Sequence, residues 1–572
     1  MQILRPGVLE SEIKEMYSSI DDQKIAGLLF AKDPKLWKDD PEQIKDISQR
    51  MGWLTLPDLF LEKTEALSLF GRQVKEDGFT HVVLLGMGGS SLSSEVAKET
   101  FGSSPGYPEL LVLDNTAPEA ISDLENKIDL EHTLFIVASK SGGTEETISF
   151  FKYFYDRIQK KNSKNPGDHF VAITDDNTSL VKLAAQYNFR KVFINPSDLG
   201  GRYSVLSDFG LVPMALIGIN VASFLTSANQ MMVSCNNQLP TESNPGISLG
   251  ILLGICQKHG KDKVTFILSS SLKSFGYWVE QLIAESTGKE GKGIIPIVGE
   301  MPGTPEEYGQ DRLFVHLYLN SDDNKEDTIK VDALEHAGHP VVKISLDEKE
   351  SLGGEYFRWE VATAIAGLVM KINPFDQPNV EESKQNTKHI LEKWMKDGSF
   401  ITSSKDYVVE DFHIHEGHRE KSSDLRHGNH IGEFVNNFTS RAVQNDYIAW
   451  LPYFMMTDFR DEVLQSWRQK LRDELKVATT LLNGPRYLHS TGQLHKGGPD
   501  TGLFIILVGD HEEDLAIPGS SFGFATLHEA QALGDFQSLD DKNRRVLYIN
   551  LGKNIDSGLS ELFESIEKSN KS

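Results

Sequence analysis

Apolar residues in this chain fall into short unbroken runs, separated by longer stretches where they recur every three or four positions. The runs at 82–85, 110–113, 134–138, 170–173 and 191–194 show no polar alternation, the pattern of strands buried on both faces of a parallel sheet. Helical patterns lie between them, so consecutive strands read as right-handed βαβ crossovers. A second set at 264–269, 293–298, 312–319 and 341–344 follows a helical stretch over 205–225. Helices are expected over 356–371 and around 380–394, with a polar surface excursion at 236–245. Residues 1–78 read as helical and rich in Lys and Glu, anchored by Trp37, Trp53 and Leu54.

The pattern changes after residue 400. Residues 405–430 are polar and rich in His and read as an irregular insertion. Helices are expected over 431–459 and 460–480, then strands near 503–508 and 545–551. The fold class is therefore α/β: a helical amino-terminal segment (1–78), two doubly wound parallel-sheet domains (79–225 and 226–400) and an added carboxyl-terminal α/β region (401–572).

The 133–138 run leads straight into Ser139-Lys140-Ser141-Gly142-Gly143-Thr144-Glu145-Glu146-Thr147, and a helical pattern follows. Hydroxyls and glycines at the point where a strand ends and a helix begins suit a phosphate: free backbone N–H groups and the positive end of the helix dipole converge there. The same stretch also suits a plain helix cap. The first strand of the unit leads into Gly86-Met87-Gly88-Gly89-Ser90-Ser91, which alone fits a dinucleotide, a phosphate or a tight turn. Two such loops at the carboxyl edge of one sheet favour a phosphosugar.

Four further segments stand in order: Leu199-Gly200-Gly201-Arg202-Tyr203-Ser204-Val205-Leu206-Ser207, Glu285-Ser286-Thr287-Gly288-Lys289, Gly303-Thr304 with Gly309-Gln310, and Asn373-Pro374-Phe375-Asp376-Gln377 with Lys384. The two loops resemble the SIS (sugar isomerase) domain. Together with these segments, over about residues 50–400, the chain resembles the glucose-6-phosphate isomerase family, which has two such domains. The resemblance implies an aldose–ketose isomerase of glucose 6-phosphate and fructose 6-phosphate that works through a cis-enediolate, without metal or organic cofactor, as a homodimer.

It implies a role for each matching residue. Glu285 is the expected base that moves a proton between C2 and C1. Arg202 is the fixed cation beside the developing charge, and Lys384 assists at the ring oxygen. Gly89, Ser90, Ser139, Lys140, Ser141, Thr144, Gly201 and Gln377 are the expected substrate contacts. An isomerase that also takes mannose 6-phosphate and a non-catalytic SIS-type sensor are the rival readings; a residual transaldolase activity is the weakest.

One position departs from the family. A histidine usually follows Gly-Gln and helps open the sugar ring, but Asp311 follows Gln310 here. An ionised Asp is a poor acid near neutral pH unless its pKa is raised. The segment 487–498 carries His489 and His495, and it resembles, with 373–384, the isomerase half of bacterial fused transaldolase–glucose-6-phosphate isomerase proteins. It reads as an active-site loop or as an ordinary turn. As the former, His489 or His495 reaches the sugar. His413, His415, His418, His427 and His430 fit no familiar zinc spacing and read as a solvated loop, while His336 and His339 read as structural.

Charge narrows the partners. Lys and Arg total 58 against 83 Asp and Glu, a net charge of −25, a field that repels nucleic acid and acidic membranes. The expected partners are a sugar phosphate and a second copy of the chain. Two cysteines, Cys235 and Cys256, in apolar surroundings fit a reducing compartment. The amino terminus does not read as a signal peptide and no apolar run is long enough to span a membrane, so a cytoplasmic location is expected.

Overall fold

The computed structural model describes residues 1–161, 164–236, 239–398, 400, 406–419 and 430–569. The amino-terminal strand is β1 (Gln2–Arg5). The first sheet comprises β2 (His81–Gly86), β3 (Glu109–Leu113), β4 (Thr133–Ala138), β5 (Phe170–Asp175) and β6 (Lys191–Asn195). The second comprises β7 (Lys263–Leu268), β8 (Ile295–Ile297), β9 (Arg312–Leu319) and β10 (Val341–Leu346). The third comprises β11 (Asp406–Val409), β12 (Phe412–Glu416), β13 (Tyr447–Tyr453), β14 (Ala478–Leu481), β15 (Gly502–Val508) and β16 (Arg545–Asn550).

In the interior strands the unbroken apolar runs are buried because helices cover both faces of the sheets, whereas the edge strands β3 and β6 are partly open, Ile194 of β6 being 40% exposed. Every residue of β4, β13 and β15 is buried. The strand orders are β3-β2-β4-β5-β6, β8-β7-β9-β10-β1 and β14-β13-β15-β16-β12-β11. Counting only the parallel strands of each sheet in chain order, all three read 2-1-3-4, and the first sheet adds a fifth. In such a sheet the chain winds in opposite directions from strands 1 and 3, leaving a crevice at their carboxyl ends. In the first sheet that crevice lies between β2 and β4, where the 86–91 and 139–147 loops emerge. No helix among the described residues is long and apolar enough to cross a membrane.

Three expectations are corrected. The amino-terminal segment is not wholly helical: β1 pairs antiparallel with β10, Leu4 opposite Val342, because the outer edge of β10 otherwise leaves its backbone groups unpaired. Part of the supposed irregular insertion is a hairpin, β11 and β12, that extends the third sheet along β16; residues 401–405 and 420–429 lie outside the described residues. The two long helices expected over 431–480 are instead the helix Ile431–Thr439, β13, the helix Asp458–Leu475 and β14. The run Tyr447-Ile448-Ala449-Trp450-Leu451-Pro452-Tyr453 is apolar throughout, and for so short a stretch periodicity alone does not separate buried strand from buried helix.

The second and third sheets are joined by a buried carboxylate. Glu300 receives Arg312 Nη1 at 3.0 Å and Nη2 at 3.2 Å, with neither side chain exposed, and also Thr479 Oγ1 of β14 at 3.2 Å. Removing one partner of a buried pair leaves the other charge uncompensated. Glu300→Ala is therefore expected to lower stability by about 3–5 kcal/mol, read as a fall in the urea midpoint.

Glu280, on the helix Phe275–Thr287, borders a cavity of about 340 Å³ with Arg468 and Arg486. Burial pushes its carboxyl from 4.5 up to about 8, against the pull of the two guanidinium groups. Between those values the folded protein keeps a proton that the unfolded chain has lost, so stability falls as pH rises through that window. Glu280→Gln is expected to flatten the decline, measured as urea midpoints at pH 5 and pH 8.

Candidate active site

The 139–147 loop is built as a cradle. Ser139 N donates to Ile173 O at 3.0 Å, fixing the loop to β5, and the Ser139 and Thr144 hydroxyls bond each other at 2.8 Å. Gly142 has φ +72°, and a Cβ there would stand 2.6 Å from Thr178 Cβ. Thr144 then leads into the helix Glu145–Lys160, whose amino end faces the cradle. The Lys140 ammonium is paired with Asp175, and burial raises the Asp175 carboxyl against that pairing.

The 86–91 loop reaches the same crevice. A Cβ on Gly89 would lie 2.3 Å from Gly201 O and 3.0 Å from Arg202 N, so only glycine lets the two backbones meet. Ser90 is buried beside it. This close approach seats Arg202, which is 1% exposed. Its Nε donates to Ser286 Oγ at 2.7 Å. Nη1 donates to Gln377 Oε1 at 3.1 Å and faces Glu285 Oε1 at 3.0 Å. Nη2 donates to Pro374 O at 2.8 Å and Asp376 O at 3.0 Å.

Glu285 sits near the end of the helix Phe275–Thr287. Arg202 holds one carboxylate oxygen, and Gln281 Nε2, one turn earlier, donates to the other at 3.0 Å. Lys289 Nζ braces the Asp376 carbonyl and carboxylate, both at 2.6 Å; burial pushes its ammonium down to about 8, against the pull of Asp376.

Gln281 Nε2 also donates to His489 O at 2.8 Å, which brings the third unit to the carboxyl edge of the first sheet. His489 ends the 3₁₀ turn Arg486–His489. Its Nε2 meets Glu146 Oε1 at 2.9 Å, and Gln531 Nε2 donates to the same oxygen at 2.6 Å. Burial alone would raise the Glu146 carboxyl, yet His489, the helix-start backbone N–H and the Lys384 ammonium together hold it below the usual range. Ser141, Thr144, Glu146, Lys384 and His489 line one cavity of about 450 Å³.

The other candidates stand elsewhere. His495 is 2% exposed, on the short helix Gly492–Gly497, with its ring 4.9 Å from Phe504 and 5.7 Å from Tyr487. Burial holds that ring neutral, well below the ordinary imidazole range. It packs against the face of the third sheet and does not line the cavity that His489 borders. Asp311 lies at the amino edge of the second sheet, its Oδ2 3.3 Å from the buried Lys263 ammonium.

His339 packs against Phe314 at 5.2 Å. His418 pairs with Asp540 and His430 with Glu410; His427 lies outside the described residues. Among the described residues no three His, Cys, Asp or Glu side chains gather as a metal group. Glu146 is the residue that sequence reasoning missed: it stands inside the quoted loop, and the signal was a buried-face position in the first turn of the helix, opposite no visible partner.

A sequence profile of the phosphoglucose isomerase family matches residues 52–295. The chain is 28% identical over 402 residues to a probable glucose-6-phosphate isomerase of Methanococcus maripaludis, covering 64% of this chain and 88% of the relative. It is 30% identical over 345 residues to a glucose-6-phosphate isomerase of Methanocaldococcus jannaschii, covering 54% and 84%. Among solved structures it is similar to a hypothetical protein of Thermus thermophilus (TM-score 0.57, 24% identity, 68% of this chain and 100% of that one). It is also similar to a glucose-6-phosphate isomerase of Chlamydia trachomatis (TM-score 0.53, 19% identity, 68% and 85%); these two likenesses speak for the fold. With the profile match and relatives of which it covers most of the length, the chain belongs to the phosphoglucose isomerase family.

Proposed function

We propose that the chain interconverts glucose 6-phosphate and fructose 6-phosphate by proton transfer through a cis-enediolate. The observation that carries this reading is the set of contacts in which Arg202 and Gln281 hold the Glu285 carboxylate, Gln281 also ties down the His489 main-chain carbonyl, and Glu146 holds the His489 imidazole on the rim of the cradle. The phosphate sits on the hydroxyls of Ser139, Ser141 and Thr144 and the amino end of the helix Glu145–Lys160, with Lys140 adding charge. Gly89, Ser90 and Gly201 form the wall on which the sugar lies, and Gln377 closes it beside Arg202.

His489, oriented by Glu146, moves the proton during ring opening, and Lys384 assists at the ring oxygen. This fills the role left open by Asp311. Glu285 then carries a proton between C2 and C1. The Arg202 guanidinium stabilises the enediolate through a charge that never titrates and donors already fixed in place, so little reorganisation accompanies the reaction. A cytoplasmic setting is part of the reading, supported by Cys235 and Cys256, which are buried free thiols not joined in a disulfide. So is the homodimer that the family resemblance implies, for which light scattering is the measure.

In a coupled assay starting from fructose 6-phosphate, Glu285→Gln is expected to lose about a thousandfold in turnover while still binding substrate. Full activity in that variant would sink the proposal. His489→Ala is expected to slow turnover of cyclic glucose 6-phosphate by about 10²-fold or more, whereas His495→Leu stays near the wild-type rate. Equal rates for His489→Ala and the wild type would remove His489 from ring opening.

A further inference from the structure

The helix Phe524–Asp541 of the third unit carries Gln531, which is buried against the amino end of the helix Glu145–Lys160. Its Nε2 donates to Glu146 Oε1 at 2.6 Å, and its Oε1 accepts from Thr116 Oγ1, also at 2.6 Å. Thr116 is itself fully buried, in the segment that follows β3 of the first sheet. Gln531 borders the same cavity as His489, yet both polar ends of its amide are engaged by the protein.

The direction of that amide is set by what it meets. An ionised carboxylate offers only acceptors, so the amide must turn its nitrogen to Glu146. The carbonyl is then left for Thr116, whose hydroxyl can donate to it. A reversed amide would set two oxygens against each other at Glu146. The same reasoning fixes the imidazole: His489 Nε2 lies 2.9 Å from that Glu146 oxygen, so Nε2 carries the hydrogen and Nδ1 keeps the lone pair.

One carboxylate oxygen thus receives two N–H donors, one from the imidazole and one from an amide that is held at its other end. With His489 as its only partner, the Glu146 carboxylate and the ring could swing together. The second donor, anchored through Thr116 to the first sheet, removes that freedom. The turn that carries His489 is tied to the same segment at its far end, where Arg486 Nε and Nη2 donate to the Asp114 carboxylate at 2.7 Å and 3.0 Å.

We propose that Gln531 is a positioning residue for His489, holding the imidazole in one tautomer and one direction through Glu146. The assignment rests on the role proposed for His489 in ring opening. It gives the third unit a second duty at the site: one of its helices orients the imidazole that one of its turns supplies.

The test is a double-mutant cycle on turnover of cyclic glucose 6-phosphate. Gln531→Met keeps the length of the side chain and removes the amide. It is expected to lower kcat about tenfold with KM within about twofold, and to change nothing further in the His489→Ala background. Thr116→Val keeps Gln531 but frees its amide to turn, and is expected to lower kcat about threefold, again only where His489 is present. A wild-type kcat in Gln531→Met, or in Thr116→Val should the first variant not fold, beside a slow His489→Ala overturns the assignment and leaves the role of His489 standing. A loss that persists in full without His489, the mark of a merely structural contact, overturns it as well. A wild-type rate in His489→Ala itself removes the ring-opening role and the assignment with it.

Discussion

A guanidinium cannot shed its charge, so burying one obliges its surroundings to satisfy every donor. Arg202 is such a group, and the structure around it follows from that demand. Position 89 must be a glycine for its backbone to meet that of Gly201 and seat it. The end of the helix Phe275–Thr287 must bring Ser286 and Glu285 to it, and the turn at 374–377 must present two carbonyls and the Gln377 amide. Lys289, itself buried, pins that turn through Asp376. Segments distant in sequence are thus locked into one geometry by a single side chain. Glu285 inherits that precision, because one of its oxygens is among the acceptors.

The parts of the molecule that a sequence states locally were legible in it. Strands β2, β4 and β5 read as apolar runs because both faces of a parallel sheet are buried, and the turn from strand to helix at 139–147 read as such because its hydroxyls and glycines lie in nine consecutive residues. The motif residues Arg202, Glu285 and Gln377, far apart in sequence, meet in space. What was not legible depends on partners elsewhere. Strand β1 exists because β10 offers it an edge, and the hairpin β11–β12 exists because β16 does the same. Neither run is apolar enough to announce itself. β13 gives the opposite difficulty: seven buried residues fit either kind of element.

His489 and His495 show the limit most clearly. They stand six positions apart in one polar, glycine-rich segment with equal claims on the sugar. The 3₁₀ turn at 486–489 aims the first outward to Glu146, and the helix that follows turns the second inward onto Phe504. Only the change of backbone direction at Ser490 separates them. Glu146 was invisible for a related reason, since its partner arrives from another sheet. The recurrence of one strand order in three sheets likewise appears only once pairing is known.

The Glu146–His489 contact closes a span of 343 residues, an entropic cost of about 5 kcal/mol by the logarithmic law for flexible loops. Contacts of such separation form after local ones have made the chain compact. During synthesis the amino end emerges first, so the cradle, Arg202 and Glu285 are all in place before residue 489 has been added. The imidazole reaches the site only when the last sheet docks, so the assembly of this site is a late event in folding, timed by translation itself.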